Sequence, residues 1–303
     1  MINIVGIGAN VCDTLLTVPS YPKEDTKMRA SATVQSGGGP CATGLVAAAK
    51  LGAKCSYIGN LTDDGAGVFL KGDLEKYGVS TEFTEIKKGY ISFASTILLS
   101  EETASRTCVF DRGNIPPTVL SDCQKKAIAD AEILMVDGND LSAAIEGAKT
   151  AKDNGTKVLY DAGGLYEGIE ELLRLTDILI PSEEFALGHT KCCEVEDAVR
   201  KLFELYSPEV VVITQGKEGG IIYDGKKVIK YPAFLVDAVD SNGSGDVFHG
   251  AYAFSLVQGY DYKKSAIFSS AVSAIKCTGI GARESVPDFN TVEKFLKENN
   301  YEL

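Results

Sequence analysis

The 303 residues are 45% hydrophobic and 24% charged, a balance typical of soluble globular chains, with room for one large domain or a domain with an appendage. Thirty Lys and Arg stand against 42 Asp and Glu, a net charge of −12, and no Lys/Arg-rich run concentrates positive field. That balance argues against nucleic acid and against an anionic membrane surface as partners, because either needs such a field.

In chain order, the first expected element is a strand over residues 2–7. The N-terminus has no basic region and no cleavage site, so it does not read as a signal peptide. Residues 15–34 alternate polar and apolar, the pattern of half-exposed antiparallel strands. Pro40–Leu51 is a helix of small residues closed by Gly52, followed by a strand over 54–59 and a helix over 65–77. Residues 89–110 alternate again, as in Ser92-Phe93-Ala94-Ser95-Thr96-Ile97. Beyond these, Ile133–Val136, 157–160, 177–180 and Val210–Thr214 are short apolar runs of the kind that buried parallel strands show. Helices such as 141–153 and Val195–Tyr206 separate them. The expected fold is α/β: one domain over 1–303 with a doubly wound, mostly parallel sheet flanked by helices. A small β-sheet lid, inserted from the N-terminal third over residues 12–34 and 89–112, is expected to cover a cleft. No run approaches 18 apolar residues, so no membrane span is expected, and the cytoplasm is the expected location.

Eight cysteines (12, 41, 55, 108, 123, 192, 193 and 277) form no CxxC, and His189 and His249 are the only histidines. A zinc site is therefore not expected, and the thiols read as reduced and buried.

Two motifs carry chemistry. Downstream, Asp240-Ser241-Asn242-Gly243-Ser244-Gly245-Asp246 opens an apolar run over 247–257. Amides at a helix start lack intrahelical acceptors, and glycines let a phosphate oxygen approach them. Asp246 would repel that phosphate unless it takes a proton from an attacking hydroxyl, so cradle and base together read as phosphoryl transfer to an alcohol. The plainer reading is an ordinary helix start, with Ser241 or Asn242 as N-cap and Asp246 favouring the helix dipole. Upstream, Gly37-Gly38-Gly39-Pro40-Cys41-Ala42-Thr43 opens the second expected element pair with the same permissive backbone.

Together these motifs resemble the paired signatures of the ribokinase-like, or PfkB, carbohydrate kinases, and the resemblance runs over nearly the whole chain. It takes in Gly8 with Asp13 shortly after, Val211–Gly216 with Gly219, and Lys276–Arg283. It implies ATP and Mg2+ as cofactors and a small sugar as partner. By position, Asp246 matches the catalytic base, and Gly243, Ser244 and Gly245 match the anion hole that stabilises charge on the transferred phosphate. Asp13, Gly38, Gly39 and Thr43 match the sugar-binding positions. Thr214, Gly216 and Gly219 match the strand-end turn near the nucleotide. Thr278, Gly279 and Gly281 match the adenine-side loop, which in many members also holds a monovalent cation such as K+. Family members often dimerise by pairing lids, so a homodimer through the lid is expected.

The departures matter. Thr43 stands where an Asn usually contacts sugar, and Ser182-Glu183-Glu184-Phe185 stands where Asn-x-x-Glu serves Mg2+ and phosphate. The metal role then falls to Glu183, to Glu184 or to neither. Gly37-Gly38-Gly39-Pro40, Ser182-Glu183-Glu184-Phe185 and Asp246-Val247-Phe248-His249-Gly250 together are similar to the ketohexokinase-related and sulfosugar-kinase-related branch, which implies a primary hydroxyl of a ketose or related furanose as acceptor. His249 reads as a core residue, with nucleotide contact as the alternative; Asp137 and Asp161, at strand ends, are candidate supporting groups. Lys27, Arg29, Arg106 and Arg112 in or beside the lid would favour an anionic sugar if they converge. Three other functions compete. A nucleoside or vitamin-type alcohol kinase would share base and anion hole, and a sensing domain would keep the fold without chemistry. A dinucleotide-binding dehydrogenase is disfavoured, because Gly6-x-Gly8 is followed by Val11 where a third glycine is due.

Overall fold

In the computed structural model, which describes residues 3–103 and 105–302, the short apolar runs become strands of a ten-stranded sheet. Ile2, expected to begin the first strand, lies outside the described residues. The first elements are β1 (Ile4–Ile7), β2 (Val11–Val18), β3 (Ala32–Gly38), α1 (Pro40–Leu51), β4 (Cys55–Thr62) and α2 (Gly65–Lys76). Next come β5 (Val79–Ser80), β6 (Thr84–Lys87), β7 (Ala94–Ser100), β8 (Arg106–Asp111), α3 (Asp122–Ala129), β9 (Ile133–Val136) and α4 (Leu141–Asn154). The middle holds β10 (Lys157–Ala162), α5 (Glu170–Leu175), β11 (Ile178–Pro181), α6 (Glu183–Thr190), α7 (Val195–Tyr206) and β12 (Val210–Thr214). The chain closes with β13 (Gly220–Tyr223), β14 (Val228–Tyr231), α8 (Ser244–Val257), α9 (Tyr262–Cys277) and α10 (Phe289–Glu298).

The main sheet runs β14-β13-β12-β11-β10-β9-β1-β4-β5, with β6 also paired to β4. Its pairings are parallel except for β12 with β13 and β13 with β14. Successive strand residues face opposite sides, and both sides are buried. Ile4, Ile133, Ile178 and Val212 pack with α1, α8, α9 and α10 on one face. Val5, Leu134, Val158 and Val211 pack with α3 to α7 on the other.

A separate four-stranded sheet, β3-β2-β7-β8, forms where a small sheet was expected. Its outer pairs are antiparallel, but β2 and β7 run parallel, with Asp13 opposite Ser95. The expectation of antiparallel strands throughout is corrected here. Between β2 and β7 the chain passes through the main sheet and re-enters from the same end, which enforces a parallel pair. Residues 19–31, expected within the strand pair, carry no regular structure; Pro19 and Pro22 remove ladder donors there. The thiols also divide differently than expected. Cys12, Cys41 and Cys55 are buried, whereas Cys108, Cys123 and Cys193 are exposed, and all eight are free.

Candidate active site

Two helix starts define the site. Gly39 precedes α1 at φ 90° with Pro40 in the first helical position, and Gly243 precedes α8 at φ 73°. Only a residue without Cβ adopts these angles at little cost. The two helices cross in direct backbone contact: a Cβ on Gly250 would lie 2.0 Å from the Gly44 carbonyl oxygen, and one on Gly44 would lie 3.2 Å from that of Asp246. This crossing brings the two distant glycine motifs to one place. Asp137, at the end of β9, completes the frame by accepting the amides of Ala9 (2.8 Å), Cys41 (3.0 Å) and Asn139 (2.9 Å).

On the lid side, Asp13 is buried and its Oδ1 accepts a hydrogen bond from Ser95 Oγ at 2.6 Å. A Cβ on Gly38 would sit 2.0 Å from Asp13 Oδ2, so the glycine makes room for this carboxylate. Burial pushes the Asp13 pKa up, while Ser95 and the Arg283 charge pull it down. Thr43 is fully buried, and its Oγ1 lies 3.4 Å from Arg283 Nε. Arg283 fills the space around it. Its guanidinium is wholly buried and donates to Asp73 (2.6 Å), Asn10 Oδ1 (2.9 Å) and the Gly38 carbonyl (2.6 Å). Asn10 Nδ2 is buried without a partner and belongs to a residue lining a cavity of about 360 Å3 with Phe93, Arg112 and Asn139. The four basic residues divide: Lys27 and Arg29 are exposed, and Arg106 Nη1 reaches Asn242 Oδ1 at 3.1 Å. Arg112 lies over the Phe93 and Tyr166 rings.

On the other side of the α8 start lies a mainly apolar cavity of about 350 Å3. Thr214, Gly216 and Gly219 form one wall, Ser244 and Gly245 the floor, and Phe234 and Leu235 the apolar side. Thr278, Gly279 and Gly281 fall outside the lining; Ala274 and Cys277 of α9 take that place. Gly281 instead donates its amide to Asp240 Oδ2 at 3.0 Å. Among the described residues, the amides of Gly245 and Asp246 have no acceptor within the protein, so they are free for an anion.

Glu183 opens α6, and its Oε1 accepts from Gln215 Nε2 at 3.0 Å, next to Thr214 in the cavity wall. Among the described residues no three His, Cys, Asp or Glu side chains cluster to hold a metal unaided. Magnesium carried on phosphates asks for only one or two protein carboxylates, and Glu183 fits that need. Beside the Thr278–Arg283 loop, where a monovalent cation was expected, lies the buried ammonium of Lys276. There Asp240 Oδ1 accepts from Asn242, Oδ2 from Gly281, and its main-chain oxygen from Lys276 Nζ at 2.7 Å.

Asp246 lies in the first turn of α8. Burial first, then the charge of Asp161, push its pKa up to about 7, with His249 opposing. Asp161 is itself buried, with Oδ2 3.2 Å from His249 Nδ1, and its pKa is pushed far up by burial. His249 is a core residue, as expected. Nδ1 lies 2.6 Å from the Gly245 carbonyl and Nε2 3.0 Å from that of Ile180. The sequence reading put Arg283 in the adenine-side loop and not beside Thr43 and Gly38, and it missed Asn10, and Gly44 and Gly250 as the crossing. Gly44 and Gly250, spaced within the small-residue helices, were the available signal; a wholly buried arginine leaves none.

The pattern of the pfkB family carbohydrate kinases matches residues 1–288. The chain is 26% identical over 297 residues to the ribokinase of Haemophilus influenzae, covering 96% of this chain and 97% of that one. It is 26% identical to the ribokinase of Bacillus subtilis, covering 98% and 100%. The structure of Arabidopsis thaliana ribokinase complexed with ribose and ATP superposes with a TM-score of 0.88 at 25% identity, covering 98% and 99%.

Proposed function

This chain belongs to the pfkB family of carbohydrate kinases, and we propose that it transfers the γ-phosphate of ATP to a primary hydroxyl of a ketose or related furanose. The observation that carries the mechanism is the placement of Asp246. It follows Ser244 and Gly245, which line the cavity of about 350 Å3, and the Asp13 charge acts on it.

In this reading ATP enters the apolar cavity, and its terminal phosphate meets the free amides of Gly245 and Asp246 at the start of α8. Asp13, held by Ser95, accepts hydrogen bonds from sugar hydroxyls, and Gly38 and Gly39 let the ring lie against the backbone. Asp246 removes the proton of the attacking hydroxyl as phosphorus is transferred. Amides fixed by helix geometry stabilise the growing charge without reorganising. Glu183, together with the phosphates, would hold magnesium, which would supply charge neutralisation. The choice of a ketose rests on the sequence variants at residues 37–40, 182–185 and 246–250, and the ATP reading is supported by the Arabidopsis ribokinase complex. The lid leaves Val34, Val109 and Phe110 exposed, an apolar surface suited to a second copy of the chain. Sedimentation at the dimer mass supports that pairing, and a monomer at assay concentration removes it.

Asp246→Asn tests the mechanism. Turnover should fall about 10²- to 10⁴-fold, the usual worth of a general base, while ATP binding measured by calorimetry is retained. Near-normal turnover in this variant contradicts the role of Asp246.

A further inference from the structure

We propose that the Lys276 ammonium is a built-in cation that fixes the anion-hole turn, making this kinase independent of a monovalent metal ion. The proposal rests on the kinase reading above and concerns a positioning residue, since Lys276 acts through Asp240.

Lys276 lies one residue before the end of α9 and has no exposed surface. Its Nζ donates to the Asp240 main-chain oxygen at 2.7 Å and lies 3.8 Å from Asp240 Oδ2. A buried ammonium persists only when it is paired and hydrogen-bonded. Asp240 supplies both the charge and the carbonyl. Asp240 is in turn fastened on every oxygen, by the amides of Asn242 (2.8 Å) and Gly281 (3.0 Å) besides Lys276. The Cys277 carbonyl adds two more bonds, from the amides of Val239 (2.7 Å) and Asp240 (3.1 Å). Residues 239–242, which lead directly into the Gly243–Gly245 turn, are thereby clamped to the C-terminal end of α9.

A monovalent metal ion organises such a turn by gathering carbonyl and carboxylate oxygens around one positive charge. Here that charge arrives on a side chain, and each Asp240 oxygen already has an N–H donor. Asp240 therefore offers a metal ion no oxygen without an N–H donor, and its charge is already paired with the ammonium. Asp246 is near enough for its charge to act on Lys276 in the raising direction, although burial moves the Lys276 pKa down overall. The ammonium therefore also contributes positive potential at the place where the transferred phosphate gains charge.

Two measurements test this, one without turnover. Crystals soaked in rubidium chloride and examined by anomalous diffraction should show no rubidium beside Asp240 in the wild type and a rubidium peak there in Lys276→Met. Acceptor-dependent ADP release by the wild type should be unchanged when K+ is replaced by choline at constant ionic strength. Lys276→Met should lose about tenfold or more in kcat, with the acceptor KM little changed, and K+ should restore part of the loss. Rubidium bound at Asp240 in the wild type overturns the proposal. So does wild-type turnover that collapses without K+, or a Lys276→Met enzyme with full, K+-indifferent activity. If Lys276→Met fails to fold, the two wild-type results still decide. If no acceptor supports turnover, the kinase reading fails while the rubidium experiment still judges the cation claim.

Discussion

Asp246 is held among like charges. Burial is the largest force on its proton, and the Asp161 carboxylate is the next, with Asp137 and Asp13 adding in the same direction. The neutral acid is favoured, so the free enzyme gains its base only as pH rises through about 7. kcat/KM should therefore climb with pH across this value and level off above it. Asp161→Asn removes one repelling charge and should move that limb to lower pH. The pH–rate profiles of the two enzymes check this. A limb near the ordinary carboxylate value of about 4 in the wild type would contradict the electrostatic account. At this scale the sequence was readable where backbone dictates residue type. Gly38 and Gly39 announce a tight approach, and Asp246 is odd enough within its turn to demand a role. Arg283 was opaque, because burial of an arginine depends on Asp73, Asn10 and Gly38, which lie far apart along the chain.

Among the elements, α1 and α8 matter most, since their crossing sets the distance between the two glycine motifs. Gly250 meets the Gly44 carbonyl where a Cβ would be 2.0 Å from backbone oxygen, and no flexible side chain is there to yield. Gly250→Ala should destabilise the fold by about 1–3 kcal/mol, the cost of overpacking a close contact, read from denaturant midpoints. Because the helices must separate, kcat should fall as well. An alanine variant of wild-type stability and activity would show that the crossing is not rigid. Most element positions were legible, because fully buried parallel strands are short apolar runs and Pro40 and Gly52 bracket α1. Pairing direction was not. Alternation in residues 15–34 and 89–110 signals one wet face but carries nothing about which strand lies beside which, so the parallel β2–β7 pair came from the structure.

At the scale of the whole molecule, the crossing of α1 and α8 brings the two distant glycine motifs to one place. The β14-to-β5 sheet provides a rigid floor, and β2, β3, β7 and β8 form the separate cover. Asp13–Ser95 ties this cover together internally, and Arg106–Asn242 ties it to the anion-hole turn. Family and fold were readable from the paired motifs; the cavity of about 360 Å3 was not, because it is assembled from residues as distant as Asn10, Phe93 and Asn139. The most direct test is ADP release from Mg-ATP across sugars, sugar phosphates, nucleosides and a sulfonated ketose, with Asp246→Asn as the control. The account predicts release that requires a sugar, is greatest with a ketose or furanose bearing a primary hydroxyl, and disappears in the variant. Release that is independent of any acceptor, or that survives unchanged in Asp246→Asn, would contradict it.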